Sequence, residues 1–511
     1  MPAASRSVLV VTPEATPFAK TGGLADVAGA LPLALGRLGH RVTLVLPRYR
    51  HVEAGTRVAE VPVALGPNRL TATFTARPMA ERVQAILVDC PELYDRDQLY
   101  GVGTADYADN ARRFAFLSRA ALELVRVTGD VPEVIHAHDW QAGLTAVYLK
   151  TGYASHGALA GVPVVFTIHN LAYQGLFPRD WMGPLGLPEA LFTVAGFEYW
   201  GSVSFLKAGI NFSEIVTTVS PRYAREIQTP EFGFGFEDIL AARSGRLVGI
   251  LNGIDVERWD PAGDPYVPVR YGPSSLDRKR DVKKALLEEL DLAADSKALG
   301  RPVVGIVSRM VDQKGFDLLS ASAERLLALP VTMALLGSGD PRYEGEWSAL
   351  AARHPARVGV RIGFDDRLAH LIIAGADIFL MPSRFEPCGL SQMYSHRYGT
   401  VPVVRRTGGL DDTVENWDSR TGQGTGFAFR EYTPEALLRA LRRALKLFGT
   451  PRAWRALQRA AMHRDHSWDV PAKAYAEVYE RAIRLARGGT REVRPGPESE
   501  HETDRAGIES E

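Results

Sequence analysis

The sequence predicts an α/β protein of two doubly wound, Rossmann-like domains whose parallel sheets face a central cleft. Three observations carry that expectation. Short β-branched runs alternate with longer segments of helical period, the pattern of crossover-connected parallel strands. The series stops midway along the chain and starts again. Between the two series lies a stretch crowded with Pro261, Gly263, Pro265, Pro268, Gly272 and Pro273, which reads as a linker. At 511 residues the chain exceeds what one hydrophobic core organises, and 46% apolar with 23% charged residues is the composition of a folded globular protein.

In the first series the runs 7–12, 41–47, 83–89, 134–139, 162–169 and 215–220 read as strands. In the second the runs are 303–308, 331–336, 358–363, 377–382, 401–405 and 426–429. Thr433-Pro434-Glu435 supplies an N-cap, a proline at the first helical position and an early carboxylate, so a helix is expected over 436–448. A last helix is expected near 472–485, and the polar, charged residues from about 488 to 511 predict a disordered tail. The expected division is 1–253 for the first domain, 254–470 for the second, 471–487 for a helix packing back on the first, and 488–511 for the tail. Closure of the domains is expected about the proline-rich stretch at 261–273.

Sixty basic residues balance sixty acidic ones, so no global field holds nucleic acid or an anionic membrane, and a small molecule or neutral polymer is the expected partner. Cys90 and Cys388 are the only cysteines, too few for a disulfide framework, which points to a reducing compartment and hence the cytoplasm. The apolar run at 8–11 is shorter than the apolar core of a signal peptide and far shorter than a membrane span. A nicotinamide enzyme would place Gly-x-Gly-x-x-Gly after its first strand; here Thr12 leads into Pro13-Glu14-Ala15-Thr16-Pro17. The sequence carries no signal for oligomeric state.

Ligands of doubly wound domains bind at the carboxyl ends of strands, and the unusual residues gather there. Lys20-Thr21-Gly22-Gly23-Leu24 and Arg406-Thr407-Gly408-Gly409-Leu410 each join a cation to a di-glycine that opens a helix, with Asp26 and Asp412 at like offsets. Such loops are either plain strand-to-helix turns or cradles in which backbone N–H groups meet phosphate oxygens. One in each domain, facing across a cleft, suits a single diphosphate-sugar. Arg309 and Lys314 follow the first strand of the second domain, where fixed cations would stabilise the charge that develops on a departing diphosphate. Glu386, in Ser383-Arg384-Phe385-Glu386-Pro387-Cys388-Gly389-Leu390, is placed to accept hydrogen bonds from sugar hydroxyls, while Cys388 reads as a small buried thiol. His136 and His138 share one strand face, and no third histidine or cysteine follows at ligand spacing, so a metal site is not expected.

Together these segments resemble the bacterial glycogen synthase and plant starch synthase family, retaining glucosyltransferases with the GT-B fold. The likeness runs from about Val8 to Leu485 through Lys-Thr-Gly-Gly-Leu-Ala-Asp-Val, His-Ala-His-Asp-Trp, Ser-Arg-Phe-Glu-Pro-Cys-Gly-Leu and Arg-Arg-Thr-Gly-Gly-Leu. The resemblance implies transfer of glucose from ADP-glucose to the non-reducing end of an α-1,4-glucan such as glycogen, with retention and release of ADP, and with no metal or other cofactor. It implies that Lys20, Gly22 and Gly23 meet the donor's phosphate and sugar, that Arg309 and Lys314 hold the diphosphate, and that Glu386 binds glucose hydroxyls. Gly408 and Gly409 would offer amides to phosphate, Phe364 would stack on adenine, and Asn252, Cys388, Gly389, Leu390 and Thr407 would complete the donor site. His169 would present its backbone carbonyl to the anomeric carbon and its side chain to the sugar, with Asp139 near the acceptor. No carboxylate attacks the sugar in this picture, unlike the paired-carboxylate scheme of retaining hydrolases. UDP-glucose is the nearest alternative donor. Asp95-Arg96-Asp97 matches an Asp-x-Asp metal motif of another transferase class only by coincidence, and Tyr394 stands where broader retaining GT-B enzymes carry a second glutamate.

Overall fold

Val8, Leu9, Val10 and Val11 are all buried, so the strand Ser7–Val11 needs neighbours on both sides and cover on both faces. It pairs in parallel with Arg41–Pro47 on one side and with Val134–His138 on the other. A computed structural model describes residues 5–103 and 105–488; the expected tail beyond Gly488 lies outside them. The first sheet has nine strands in the order Leu247–Gly249, Ile215–Thr218, Val164–Ile168, Val134–His138, Ser7–Val11, Arg41–Pro47, Val83–Asp89, Asn68–Ala80 and Thr56–Leu65. The last two were not anticipated and pair antiparallel, forming an edge on an otherwise parallel sheet. In Thr56–Leu65 the side chains of Val61, Val63 and Leu65 are buried in alternation, the signature of a sheet wet on one face.

The second sheet has six parallel strands in the order Val358–Ile362, Thr332–Gly337, Val303–Val307, Ile378–Met381, Val401–Arg405 and Phe427–Phe429. Every run expected as a strand is present, most of them shortened by a residue or two at an end. Thr433 Oγ accepts from Ala436 N at 3.3 Å with Pro434 at the first position, and the capped helix is Pro434–Phe448. These two parallel α/β lobes make the two-domain architecture expected from the alternation of runs.

The main chain passes between the lobes at two adjacent places. Ile254 N donates to His466 O at 2.8 Å, and a methyl placed on Gly253 would come within 2.8 Å of the Ser467 and Trp468 backbone. Beyond the second passage the helix Asp469–Gly488 returns to the first lobe, where Tyr479 Oη lies 2.9 Å from His136 Nδ1 and Glu480 Oε1 accepts from Arg6 Nε at 2.5 Å.

The proline-rich stretch at 261–273 is not the pivot expected of it. Asp264 is 1% exposed and accepts from Tyr398 Oη at 2.5 Å, with His370 Nδ1 at 2.7 Å. Tyr271 Oη donates to Tyr398 O at 2.9 Å. A buried carboxylate with such partners is costly to release, so prolines and glycines here turn the chain around the second lobe, and the crossings between the lobes are the paired passages instead. Gly253→Ala is therefore expected to cost about 1–3 kcal/mol through backbone displacement; thermal unfolding of the variant against the parent measures it, and an unchanged midpoint would show that the passages have room to spare.

Candidate active site

Each sheet has a switch point from which the chain runs outward in both directions, opening a crevice at the strand ends. In the second sheet this is Val303–Val307, flanked by Thr332–Gly337 and Ile378–Met381. The loop leaving Val303–Val307 carries Arg309 and Lys314, and the loop leaving Ile378–Met381 carries Glu386. Lys314 Nζ lies 2.8 Å from Glu386 Oε1 and 2.7 Å from Oε2, and Ser383 Oγ donates to Oε2 at 3.0 Å. Glu386 is 4% exposed, so the ammonium and hydroxyl replace the water it has lost. Gly389, at φ +70°, turns the loop past Leu390 into the helix Ser391–Arg397. Arg309 stays exposed and reaches across the cleft, donating from Nη1 to Tyr173 Oη at 2.9 Å and from Nη2 to Gln313 Oε1 at 3.1 Å.

In the first sheet the switch point is Ser7–Val11, and the following loop leads to Gly22 and the helix Gly23–Arg37. The loop is held from beneath: Glu14 Oε2 accepts from Thr21 N at 2.6 Å and from Thr21 Oγ at 2.7 Å. Lys20 Nζ donates to Asp26 Oδ1 at 2.8 Å, and Gly22 and Gly23 are exposed. The neighbouring strand Val134–His138 ends in Asp139, whose φ of +56° is a turn that aspartate tolerates. Asp139 Oδ1 accepts from His169 N at 2.7 Å, while His138 Nδ1 lies 2.8 Å from His169 Nε2. Burial pushes the carboxyls of Glu14 and Asp139 up to about 7, lowers His138 to about 3, and holds His169 well below the ordinary histidine range. Both imidazoles are neutral at neutral pH.

The two crevices face one another. A methyl on Gly23 would lie 3.7 Å from Leu390 Cδ1, and the rings of Phe234 and Phe385 meet edge to face with centroids 5.2 Å apart. Asn252 and Cys388 are buried, the thiol pushed up to about 12 by burial, and Asn252 Oδ1 has no hydrogen-bond partner among the described residues. Phe364 stands 86% exposed beyond the strand Val358–Ile362.

Thr407, Gly408 and Gly409 are buried, and here the structure corrects the expectation of free amides. Gly408 N donates to Glu226 Oε2 of the first lobe at 2.9 Å, and Thr407 Oγ donates to the same oxygen at 3.1 Å. Gly409 N is bonded to the carbonyls of Glu386 and Pro387, each at 3.2 Å. A methyl on Gly408 would collide with Glu386 O, and one on Gly409 with Cys388 O. The glycines let one loop pass close behind another, and their amide hydrogens are already committed to protein oxygens. Sequence reasoning missed Glu14, Tyr173 and Glu226, each an isolated residue without motif or period; only Glu14 carried a hint, as an acid in a loop after an apolar strand.

The raised carboxyls make stability depend on pH. Glu14 and Asp139 bind their protons more tightly folded than unfolded, so their contribution is present below the ordinary carboxylate range and is lost as pH rises toward 7. Because the buried neutral histidines act in the opposite sense below 6.5, the readout is the difference between the two proteins: Glu14→Gln should gain roughly 2 °C in melting temperature relative to the parent as pH rises from about 5 to 7. Parallel melting curves for parent and variant would refute the coupling.

Comparison with known proteins agrees with this geometry. Residues 7–242 match the family described as starch synthase catalytic domain, and residues 289–459 match glycosyl transferases group 1. The glycogen synthase of Koribacter versatilis is 48% identical over 472 residues, covering 92% of this chain and 96% of that protein. That of Anaeromyxobacter dehalogenans is 50% identical over 478 residues, covering 92% and 98%. Among solved structures, the catalytic domain of Starch Synthase IV from Arabidopsis thaliana, bound to ADP and acarbose, superposes with a TM-score of 0.86 at 34% identity, covering 94% of this chain and 100% of that one. A sucrose-phosphate synthase from Thermosynechococcus elongatus shares the fold, with a TM-score of 0.56 at 16% identity over 94% of this chain and 99% of that one. With relatives this similar along almost its whole length, the chain belongs to the glycogen synthase and starch synthase family of retaining glycosyltransferases built on the GT-B fold.

Proposed function

We propose that the chain transfers glucose from ADP-glucose to the non-reducing end of an α-1,4-glucan such as glycogen, with retention and release of ADP. The observation that carries this reading is the Lys314–Glu386 pair at the second switch point, with Arg309 on the same loop as Lys314. A departing diphosphate gathers negative charge, and cations already fixed beside it stabilise the transition state more than the ground state. Lys314 and Arg309 supply that charge, so no metal is required. Glu386, held by Lys314 and Ser383, accepts from glucose hydroxyls. The buried, unpartnered Asn252 Oδ1 is a further acceptor for a sugar hydroxyl. Lys20, Gly22 and Gly23 approach the donor from the first lobe, Cys388, Gly389 and Leu390 line its sugar side, and Phe364 offers a free face to adenine. The ADP in the Arabidopsis starch synthase supports the adenine nucleotide.

Asp139 takes a different part from a nucleophile. Its carboxylate accepts the His169 amide, which anchors the backbone immediately before the His169 carbonyl that is to face the anomeric carbon. Glucosyl transfer then proceeds on the front face, with the leaving phosphate oxygen taking the proton of the incoming 4-hydroxyl. No helix among the described residues is long and apolar enough to cross a membrane. Both cysteines are free and buried, which suits a reducing compartment, and we place the reaction in the cytoplasm.

Initial rates of nucleotide release from ADP-glucose and UDP-glucose, with and without glycogen and with EDTA throughout, test the reading. Glycogen-dependent ADP release that survives EDTA is the expected result; UDP release alone would reassign the base pocket, and loss of rate in EDTA would overturn the metal-free mechanism. Arg309→Ala and Lys314→Ala should each lower kcat by on the order of 10²-fold. Glu386→Gln should stay folded yet lose most of its turnover, and parental activity in that variant would make Glu386 structural.

A further inference from the structure

Two neutral imidazoles stand face to face behind the cleft. His138 Nδ1 and His169 Nε2 are 2.8 Å apart, a distance that requires one proton between them. Either His138 donates or His169 does, and the choice decides what the second nitrogen of His169 presents. If His169 Nε2 accepts, the ring carries its own proton on Nδ1 and offers a donor there; if Nε2 donates, Nδ1 is bare and offers a lone pair.

The surroundings of His138 settle the choice. His138 is wholly buried, and its Nε2 has no hydrogen-bond partner among the described residues. Were His138 to accept at Nδ1, its proton would sit on Nε2 as an orphaned buried N–H, which native structures rarely tolerate. With the proton on Nδ1, Nε2 is left with only an unfilled lone pair. The ring is also held in place. His136 lies against it with ring centroids 4.1 Å apart, and His136 is itself fixed by Tyr479 Oη at 2.9 Å and Thr167 Oγ at 2.6 Å. On the other side Asp139 holds the His169 backbone amide.

We propose that His138 is a positioning residue that donates from Nδ1 to His169 Nε2, fixing His169 as the Nδ1–H tautomer so that it donates a hydrogen bond to a hydroxyl oxygen of the donor sugar. This rests on the proposed contact between His169 and that sugar. Removing the His138 donor frees His169 to carry its proton on either nitrogen, and a ring bare at Nδ1 repels the hydroxyl lone pair it should bind.

Long-range proton–nitrogen spectra of the histidine-labelled protein distinguish protonated from bare ring nitrogens, with the His169 signals identified by their loss in His169→Ala. The expected result is a protonated Nδ1 and a bare Nε2 on His169; the reverse pattern overturns the proposal. His138→Asn keeps a donor near the Nδ1 position and should retain the tautomer and most of the turnover. His138→Leu should mix the tautomers and lower kcat/KM for ADP-glucose by about tenfold, the factor associated with one hydrogen bond. An unchanged His169 tautomer in His138→Leu overturns the proposal, and if that variant does not fold, the parent and His138→Asn spectra still decide it. Full activity in His169→Ala would remove the sugar contact, a failure of the functional reading that the nitrogen spectra register separately.

Discussion

The site depends on one buried charge. Glu386 lies at the end of a strand where little water reaches it, and a carboxylate there persists only because Lys314 and Ser383 satisfy its oxygens. That pairing ties the loops of two neighbouring strands into one body. The backbone repeats the tie: Arg384 N donates to Gln313 O at 2.9 Å, and the carbonyl of Glu386 receives Gly409 N from a third loop. Three loops that would otherwise move independently share one arrangement, and Gly408 and Gly409 are glycines because that arrangement leaves no room for a Cβ.

Carboxylates elsewhere in the cleft serve the same end by a different route. Glu14 accepts Thr21 N, Asp139 accepts His169 N, and Glu226 accepts Gly408 N. Each amide lies in a loop at a strand end, where no ladder partner is available and a buried N–H must be satisfied some other way. An acid placed beneath the loop supplies the bond and fixes the peptide's orientation. For His169 the bond orients the peptide that enters the residue and so anchors the backbone just before its carbonyl. Burial disfavours ionised Glu14 and Asp139, which is why both titrate near neutrality.

The sheets were legible in the sequence because parallel strands covered on both faces are continuous apolar runs, as Val8-Leu9-Val10-Val11 and Val303-Val304-Gly305-Ile306-Val307 show. The edge hairpin escaped because Thr56–Leu65 is half wet, so its apolar residues are diluted by charge. Lys314 and Glu386 were legible as chemistry at strand ends. Their mutual bond was not, since the two lie 72 positions apart and only the fold makes them neighbours. Glu226 was invisible for the same reason: nothing in a short helix marks an acid whose partner is a glycine amide of the other lobe. The stretch at 261–273 misled because proline and glycine mark turns, and a turn buried against Tyr398 and His370 looks like a hinge until its contacts are seen.

What remains available for a ligand follows from counting donors. A lysine ammonium has three hydrogens, and Lys314 directs its nitrogen at both oxygens of Glu386, which leaves a donor for the cleft. An arginine has five in a planar fork, and Arg309 commits one nitrogen to Tyr173 and another to Gln313, leaving a majority free. The amides of Gly408 and Gly409 have none to give. An anion entering between the lobes therefore finds its charge met by side chains rather than by the second di-glycine loop. On the proposed reaction it is bound without breaking the Lys314–Glu386 pair, so the charge that organises the site stays compensated while the charge of the leaving group develops beside it.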